Sequence, residues 1–392
     1  MTRILFLILC LGFVAACESG GGSVISTPTD PGTDPGTDGS GDETPIDGDG
    51  RTPELPPGTS NPTPDNTIVR REALNEENGG GYATNIEYRN DQGQDEFVVD
   101  NIAFDGNNVY TRGDPVTGVA QLGSYAVYEG AEQTTDPVTG NTLNTFTYRA
   151  IYGRSNTGET EFAIVRSGSY INYGFGGFVY QRNDTDNNGN PVSLVLPNEG
   201  DASYLGDYAG LRIFDGRGGF EYVQGDAELR IDFKDFNDGQ RGVALFVRNR
   251  RLFDAAGNDI TRAYLDALNA TGGGSSGGLF GDLTDGINDD DGNTGPTLIV
   301  NTDNDGNFIL PNINPVISPD DADANGEIAG EVFEVASFDD GTAQNTAEGS
   351  YFAIVSGADA GEVVGVLVVE GDDPRVEGTT FQETGGFIVY RQ

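Results

Sequence analysis

From Thr67 to the end of the chain, apolar and polar side chains alternate with a period of two between short runs of Gly, Asn and Asp. A chain patterned in this way can bury one face only as a β-sheet. Tyr82, Thr84, Ile86 and Tyr88 share one face, with Ala83, Asn85, Glu87 and Arg89 on the other. Phe146, Tyr148, Ala150 and Tyr152 repeat the pattern, as do Ala227, Leu229, Ile231 and Phe233 against Asp226, Glu228, Arg230, Asp232 and Lys234. Turn dipeptides follow closely: Asp105-Gly106, Asp238-Gly239, Asn325-Gly326 and Asp340-Gly341. Helix signals are nearly confined to Asp259 to Asn269, a capped run that ends at Gly272-Gly273-Gly274. Phe162-Ala163-Ile164-Val165, followed by Gly176-Gly177-Phe178 and Arg182, is echoed by Phe352-Ala353-Ile354-Val355, Gly385-Gly386-Phe387 and Arg391. The pattern therefore predicts an all-β chain of two units with a boundary near Pro191 to Asn198. The first is an open or partly closed antiparallel domain over 67–195. The second, over 196–392, is a closed barrel, because closure removes exposed sheet edges.

The residue inventory excludes much chemistry. With no His, the chain has no Ser-His-Asp or Cys-His nucleophile and no His-ligated zinc or haem. Lys234 is the one lysine against 20 arginines, and the net charge is −42, which opposes binding to nucleic acid or to anionic lipid. Without Trp, the commonest sugar-stacking platform is missing as well.

The amino terminus reads as an address. Met1-Thr2-Arg3 precedes the apolar run Ile4 to Val14, too short for a membrane span, which ends in Val14-Ala15-Ala16-Cys17. That ending resembles the bacterial lipobox, in which a cysteine after small residues is acylated and becomes the first mature residue. Residues 1–16 are then a lipoprotein signal peptide, and Cys17 is the lipidation site. Glu18 stands where an Asp is associated with inner-membrane retention, which points to the outer membrane. Residues 17–66, rich in Gly, Pro, Thr and Asp, contain too few apolar groups to offset chain entropy and read as a disordered tether, with a span of about 40 Å for a flexible coil. Of the −42, −9 falls on 17–66 and +1 on the leader, so residues 67–392 carry −34. The head itself is acidic.

Residues Gly200 to Gly210 read Gly-Asp-Ala-Ser-Tyr-Leu-Gly-Asp-Tyr-Ala-Gly, and the strand Ala227 to Phe233 follows. Further on come Asn325-Gly326-Glu327-Ile328-Ala329-Gly330, Gly349-Ser350-Tyr351-Phe352, Gly357-Ala358-Asp359-Ala360-Gly361-Glu362-Val363-Val364-Gly365 and Gly385-Gly386-Phe387. Over roughly 199–392 this order resembles the β-barrel domain of the transferrin-binding protein B family of bacterial surface lipoproteins. The resemblance implies a handle-like antiparallel domain followed by an eight-stranded antiparallel barrel. It also implies non-covalent capture of an extracellular protein or an iron carrier by a monomer that uses no cofactor and has a lipid anchor as its membrane contact. The best-known members have two lobes and a Lys-rich surface; this chain has room for at most one handle-plus-barrel lobe and has one lysine. No residues matching the family's transferrin contacts are identifiable.

Four segments imitate the first half of a calcium loop: Asp184-x-Asp186-x-Asn188-Gly189, Asp289-x-Asp291-Gly292, Asn301-x-Asp303-x-Asp305-Gly306 and Asp321-x-Asp323-x-Asn325-Gly326. The twelfth-position Glu is replaced by Val195, Asn312 and Val332 in the three complete frames, which favours hairpin turns over calcium sites. Arg248, Arg250 and Arg251 either anchor an acidic partner or pair with carboxylates on the barrel's outer face. Tyr170, Tyr173, Phe175, Phe178 and Tyr180 form either an aromatic partner patch or strand core. No motif singles out a catalytic carboxylate pair among 63 acids, and Gly272 to Gly278 reads as a barrel loop, since no Lys or helix start follows it. Capture by an outward-facing outer-membrane lipoprotein is the first functional expectation. A structural or protective envelope component without a ligand is the second, and a carboxylate-dependent carbohydrate-active enzyme the third.

Overall fold

A computed structural model of the chain describes residues 53–83, 85–91, 94–100, 107–112, 119–130, 133–135, 138–139, 141–144, 148–168, 172–236, 242–272, 296–316 and 322–392. Cys17, Tyr170 and the segment Asp289 to Gly292 lie outside them.

Among the described residues of the first half are eleven strands: β1 (Ile68–Arg71), β2 (Asn85–Asp91), β3 (Gln94–Asp100), β4 (Asn107–Arg112), β5 (Gln121–Leu122), β6 (Tyr125–Gly130), β7 (Gln133–Thr135), β8 (Thr142–Asn144), β9 (Tyr148–Arg154), β10 (Thr160–Ser167) and β11 (Gly176–Arg182). β7 and β8 form a separate hairpin. The others make an open antiparallel sheet, the handle, in the order β1-β11-β10-β9-β6-β4-β3-β2, with β5 paired to β6.

The second half is the barrel: β12 (Asp201–Asp215), β13 (Phe220–Asp232), β14 (Val243–Phe253), β17 (Ile313–Val316), β18 (Glu327–Ser337), β19 (Ala343–Ser356), β20 (Glu362–Asp372) and β21 (Thr380–Arg391). Each strand pairs antiparallel with the next, and β21 closes onto β12 from Thr380 to Arg391. The all-β class and the closed eight-stranded antiparallel barrel are as the sequence led one to expect. Between β14 and β17 lie the helix α1 (Thr261–Gly272) and the two-residue strands β15 (Asn301–Thr302) and β16 (Phe308–Ile309), paired with each other.

In β13 the expected alternation is realised: Ala227, Leu229 and Ile231 fill the barrel while Arg230 faces water. α1 begins where the Asp259 carboxylate accepts the Thr261 N–H at 2.9 Å, and it packs Tyr264, Leu265 and Leu268 into the barrel core. Each of these side chains contributes about 1.5–3 kcal/mol on burial.

The handle lies against the barrel wall. Ile151, Phe162, Ile164, Phe178 and Tyr180 pack on Leu211, Ile213, Ile354, Val364, Val366 and Ile388. β20 therefore has apolar residues on both faces, Val364 and Val366 outward, Val363 and Leu367 inward, and shows no alternation. Gly385-Gly386-Phe387 shows how tightly this is built. A Cβ on Gly385 would lie 2.1 Å from the Tyr208 hydroxyl inside the barrel, and one on Gly386 would lie 2.2 Å from the Phe162 ring of the handle. The two glycines admit one aromatic ring from each side of the wall.

Buried polar contacts add to this interface. The Tyr125 hydroxyl donates to the Asp207 carbonyl at 2.8 Å and accepts the Ile388 N–H at 2.7 Å. Thr157 and Thr160 each donate to the Glu362 carboxylate at 2.6 Å. Arg70 holds Glu327 through two bonds of 2.5 and 2.8 Å.

Residues 53–66 depart from the tether that composition assigns to 17–66. Thr59 and Arg71 exchange backbone bonds with Val69 and Pro57, and the buried Arg182 guanidinium donates to the carbonyls of Thr63 and Asn66. Backbone pairing and two arginines, Arg182 and Arg70, dock a stretch that has almost no apolar side chains, and composition registers neither.

Candidate functional site

The barrel has no open lumen among its described residues. Its centre is apolar except for Arg212 on β12, Arg250 on β14, Glu334 on β18 and Glu383 on β21, all 0% exposed. Arg212 Nε donates to Glu383 Oε2 at 2.8 Å, and Arg250 Nη2 donates to the same oxygen at 2.6 Å. Arg250 Nη1 donates to Glu334, while the Tyr208 hydroxyl donates to Glu383 Oε1 at 2.7 Å and the Thr346 hydroxyl to Glu334 Oε1 at 2.7 Å. The guanidinium of Arg212 stands 4.1 Å above the Phe381 ring and 5.0 Å from that of Tyr264, which shields the two terminal nitrogens that make no hydrogen bond. Burial alone would raise the Glu383 carboxyl; the charges of Arg250 and Arg212 and the Tyr208 bond overturn this and hold it at about 2. Two positive and two negative charges balance, with each carboxylate bonded to a guanidinium, while Arg212 Nη1 and Nη2 and Arg250 Nε are buried without a hydrogen bond.

Arg250 is therefore an interior residue and takes no part in a surface cluster. Its neighbours face outward: Arg248 reaches Glu228 at 2.5 Å beside the Phe246 ring, and Arg251 reaches Asp259 at 2.5 Å. A β-bulge splits the cluster. The register slips between Gln224 and Asp226, and Asn249 adopts φ 51°, so inward positions pass from Val247 to Arg250 and Leu252.

The aromatic run divides as well. Phe178 and Tyr180 are core between handle and barrel. Phe175 packs edge-on against Tyr82 at 5.5 Å, and the half-buried Tyr173 shares a 2.6 Å hydrogen bond with Thr380.

In three of the calcium-like strings, the carboxylates of the described residues Asp186, Asp303 and Asp323 are already engaged in turns. Asp186 Oδ1 accepts the N–H groups of Asn188 and Asn190, both at 2.8 Å, and its other oxygen accepts the Asn190 amide. Asp303 holds Asp305 and Asn307 in the same way, and Asp323 holds Asn325 and Glu327. Asp254, outside the four strings, repeats the motif with Ala256 and Asn258. The Asn190 side-chain and backbone bonds, with those of Asn188, hold the Asp186 carboxyl at about 2.

A groove of about 1120 Å³ lies where handle meets barrel. Its handle side comprises Leu55 and Pro56 of the docked strap with Glu72, Tyr173 and Phe178, and its barrel side comprises Glu348, Ser350 and Phe352 of β19 with Val368, Glu370 and Asp372 of β20. Phe352 and Val368 also pack into the handle–barrel core, which makes them the base. The strap is tied down by Arg70, whose guanidinium donates to the Pro56 carbonyl at 3.3 Å.

The charges lining the groove are unbalanced. Glu72 is neutralised by Arg166 at 3.0 Å. Glu348 and Glu370 stand directly opposite each other across β19 and β20, and Asp372 follows two residues along. Glu370 accepts the Gln382 amide at 2.8 Å and Glu348 has a distant amide contact from Asn345, but none of the three has an ion pair among the described residues. Burial pushes the Asp372 carboxyl up. Glu348 and Glu370 are both exposed, and like charges opposed on neighbouring strands destabilise a sheet by roughly 0.2–1 kcal/mol.

Sequence reasoning missed Arg212, Glu334 and Glu383, although Glu383 lies in phase with Phe381 and Phe387, which is the pattern of an inward position. It also missed Glu348, Glu370 and Asp372, which read as ordinary surface acids until the register pairs them.

No family model and no curated protein matches the chain. Among solved structures, a double mutant of transferrin-binding protein B from Haemophilus parasuis Hp5 is similar at 10% identity and a TM-score of 0.30, over 84% of this chain and 59% of that one. A single mutant of the same protein gives 11%, 0.29, 84% and 59%. Intact Ap-TbpB, with N and C lobes, gives 11%, 0.27, 84% and 61%. The chain thus spans about three fifths of the length of these proteins.

Proposed function

We propose that the chain is an outward-facing outer-membrane lipoprotein, anchored through an acylated Cys17, whose head captures a protein or metal-carrier ligand non-covalently in the handle–barrel groove. The observation that carries this reading is the groove itself, a cavity of about 1120 Å³ at a well-bonded junction beside a barrel whose interior is filled. Binding sites of this kind are concave, apolar at the base and edged by a few polar groups. The barrel's own charges are bonded to one another, so no free acid–base pair is available there for catalysis, and the reading needs no cofactor.

One experiment tests anchor and site together. Cells fed labelled palmitate express wild type, Cys17→Ser or Ser350→Trp, and each protein is recovered from outer-membrane extracts with whatever it holds. Wild type is expected to carry both label and partner, Cys17→Ser to lose the label, and Ser350→Trp, which fills the groove, to keep the label and lose the partner. Equal labelling of wild type and Cys17→Ser removes the anchor. A wild type that enriches nothing, or a Ser350→Trp protein that enriches the same partner, removes the groove and favours an envelope component without a ligand.

A further inference from the structure

We propose that the occupant of the groove is a basic, partly apolar peptide segment of a protein partner, seated with separated Arg or Lys side chains against Glu348, Glu370 and Asp372. This rests on the groove being the recognition site and goes further by naming the chemistry recognised.

Three observations carry it. The first is shape: the groove, at about 1120 Å³ near the top of the roughly 300–1,000 Å³ range of ligand sites, is lined from Leu55 and Pro56 of the strap to Glu370 and Asp372 of β20, an elongated lining that suits a length of chain. The second is charge. Glu348 and Glu370 face each other with no cation between them, and a cation from outside relieves that repulsion on binding. The third is spacing. Among the described residues no three carboxylates converge closely enough to hold one metal ion, so the negative charge is distributed along the groove instead of focused on a point. Distributed carboxylates over an apolar base of Phe352 and Val368 match alternating cationic and apolar side chains better than a divalent ion. The head's acidity adds long-range attraction for such a segment and leaves specificity to the groove.

The probes are three capped hexapeptides with leucine alternating with arginine, serine or glutamate, and binding to the full-length protein is read by fluorescence anisotropy. The arginine peptide is expected to bind about tenfold tighter than the serine peptide at low salt, an advantage that shrinks as salt rises. Combining Glu348→Gln, Glu370→Gln and Asp372→Asn should abolish that advantage, while Glu199→Gln, Asp201→Asn and Asp359→Asn together, an equal charge change at exposed positions away from the groove, should preserve it. Because Glu348 and Glu370 repel each other, the groove triple should melt no earlier than wild type, which separates lost binding from lost folding. Equal loss in both triples means general charge attraction and overturns the inference. If the serine or glutamate peptide binds as well as the arginine peptide and Ser350→Trp displaces it, the groove stands as a site but its cation preference fails. If Ser350→Trp changes no peptide's binding, the inference and the reading beneath it both fall.

Discussion

Replacing Glu383 with glutamine is expected to destabilise the head by about 3–5 kcal/mol, the usual consequence of breaking a buried ion pair by removing one partner. Glu383 accepts from Arg212, Arg250 and Tyr208 with no exposure to water, so the neutral side chain leaves two guanidiniums in the barrel with only Glu334 between them. Converting the four charged residues together to apolar side chains of similar volume should cost far less, because it leaves no unpaired charge. Urea unfolding measures both, and a Glu383→Gln loss below about 1 kcal/mol contradicts the account. A pH signature follows from the same geometry. The folded carboxyl is held at about 2, below the ordinary 4.5, so the stability it supplies is complete above pH 4.5 and is lost as pH falls toward 2. Over that window wild type should weaken more steeply than Glu383→Gln. Asp323 and Glu362, whose carboxyls burial raises, act in the opposite sense in both proteins and cancel from the comparison.

Phe162→Ala should rank next, at about 3–5 kcal/mol for a fully buried ring. Phe162 sits edge-on to Tyr125 at 4.9 Å and fills the space left by Gly386 and Gly153, so its removal opens the handle–barrel seam from the middle. In calorimetry the wild type should melt as one transition, with the variant melting earlier and the handle separating from the barrel. Gly386→Val attacks the same seam by overpacking and should cost about 1–3 kcal/mol. A Phe162→Ala protein that melts with wild type would mean that the polar contacts alone join the two sheets.

The β class was legible because half-buried strands such as β13 display their two faces in the sequence. β20 was harder to read: the handle covers one face and the barrel core the other, so Val363 to Val369 show no period. The Arg248 to Arg251 cluster misled for a local reason, since one residue in the left-handed region, Asn249, reverses the facing of everything after it. Charged residues at inward positions have a readable phase but no readable partner. Glu383 meets Arg250 across 133 residues, and only barrel closure brings them together. The groove was invisible for the same reason, because Glu348 and Glu370 acquire meaning only as a register pair.

Hydrogen–deuterium exchange of the full-length protein, with and without the partner recovered from outer-membrane extracts, tests the central claim most directly. If recognition lies between handle and barrel, binding slows exchange in residues 344–352 and 366–372 and in the strap around 53–57, and leaves the turns at Asp186 and Asp254 unchanged. Protection confined to those turns, or to the β2–β3 hairpin at the handle's far edge, would place recognition elsewhere and contradict it.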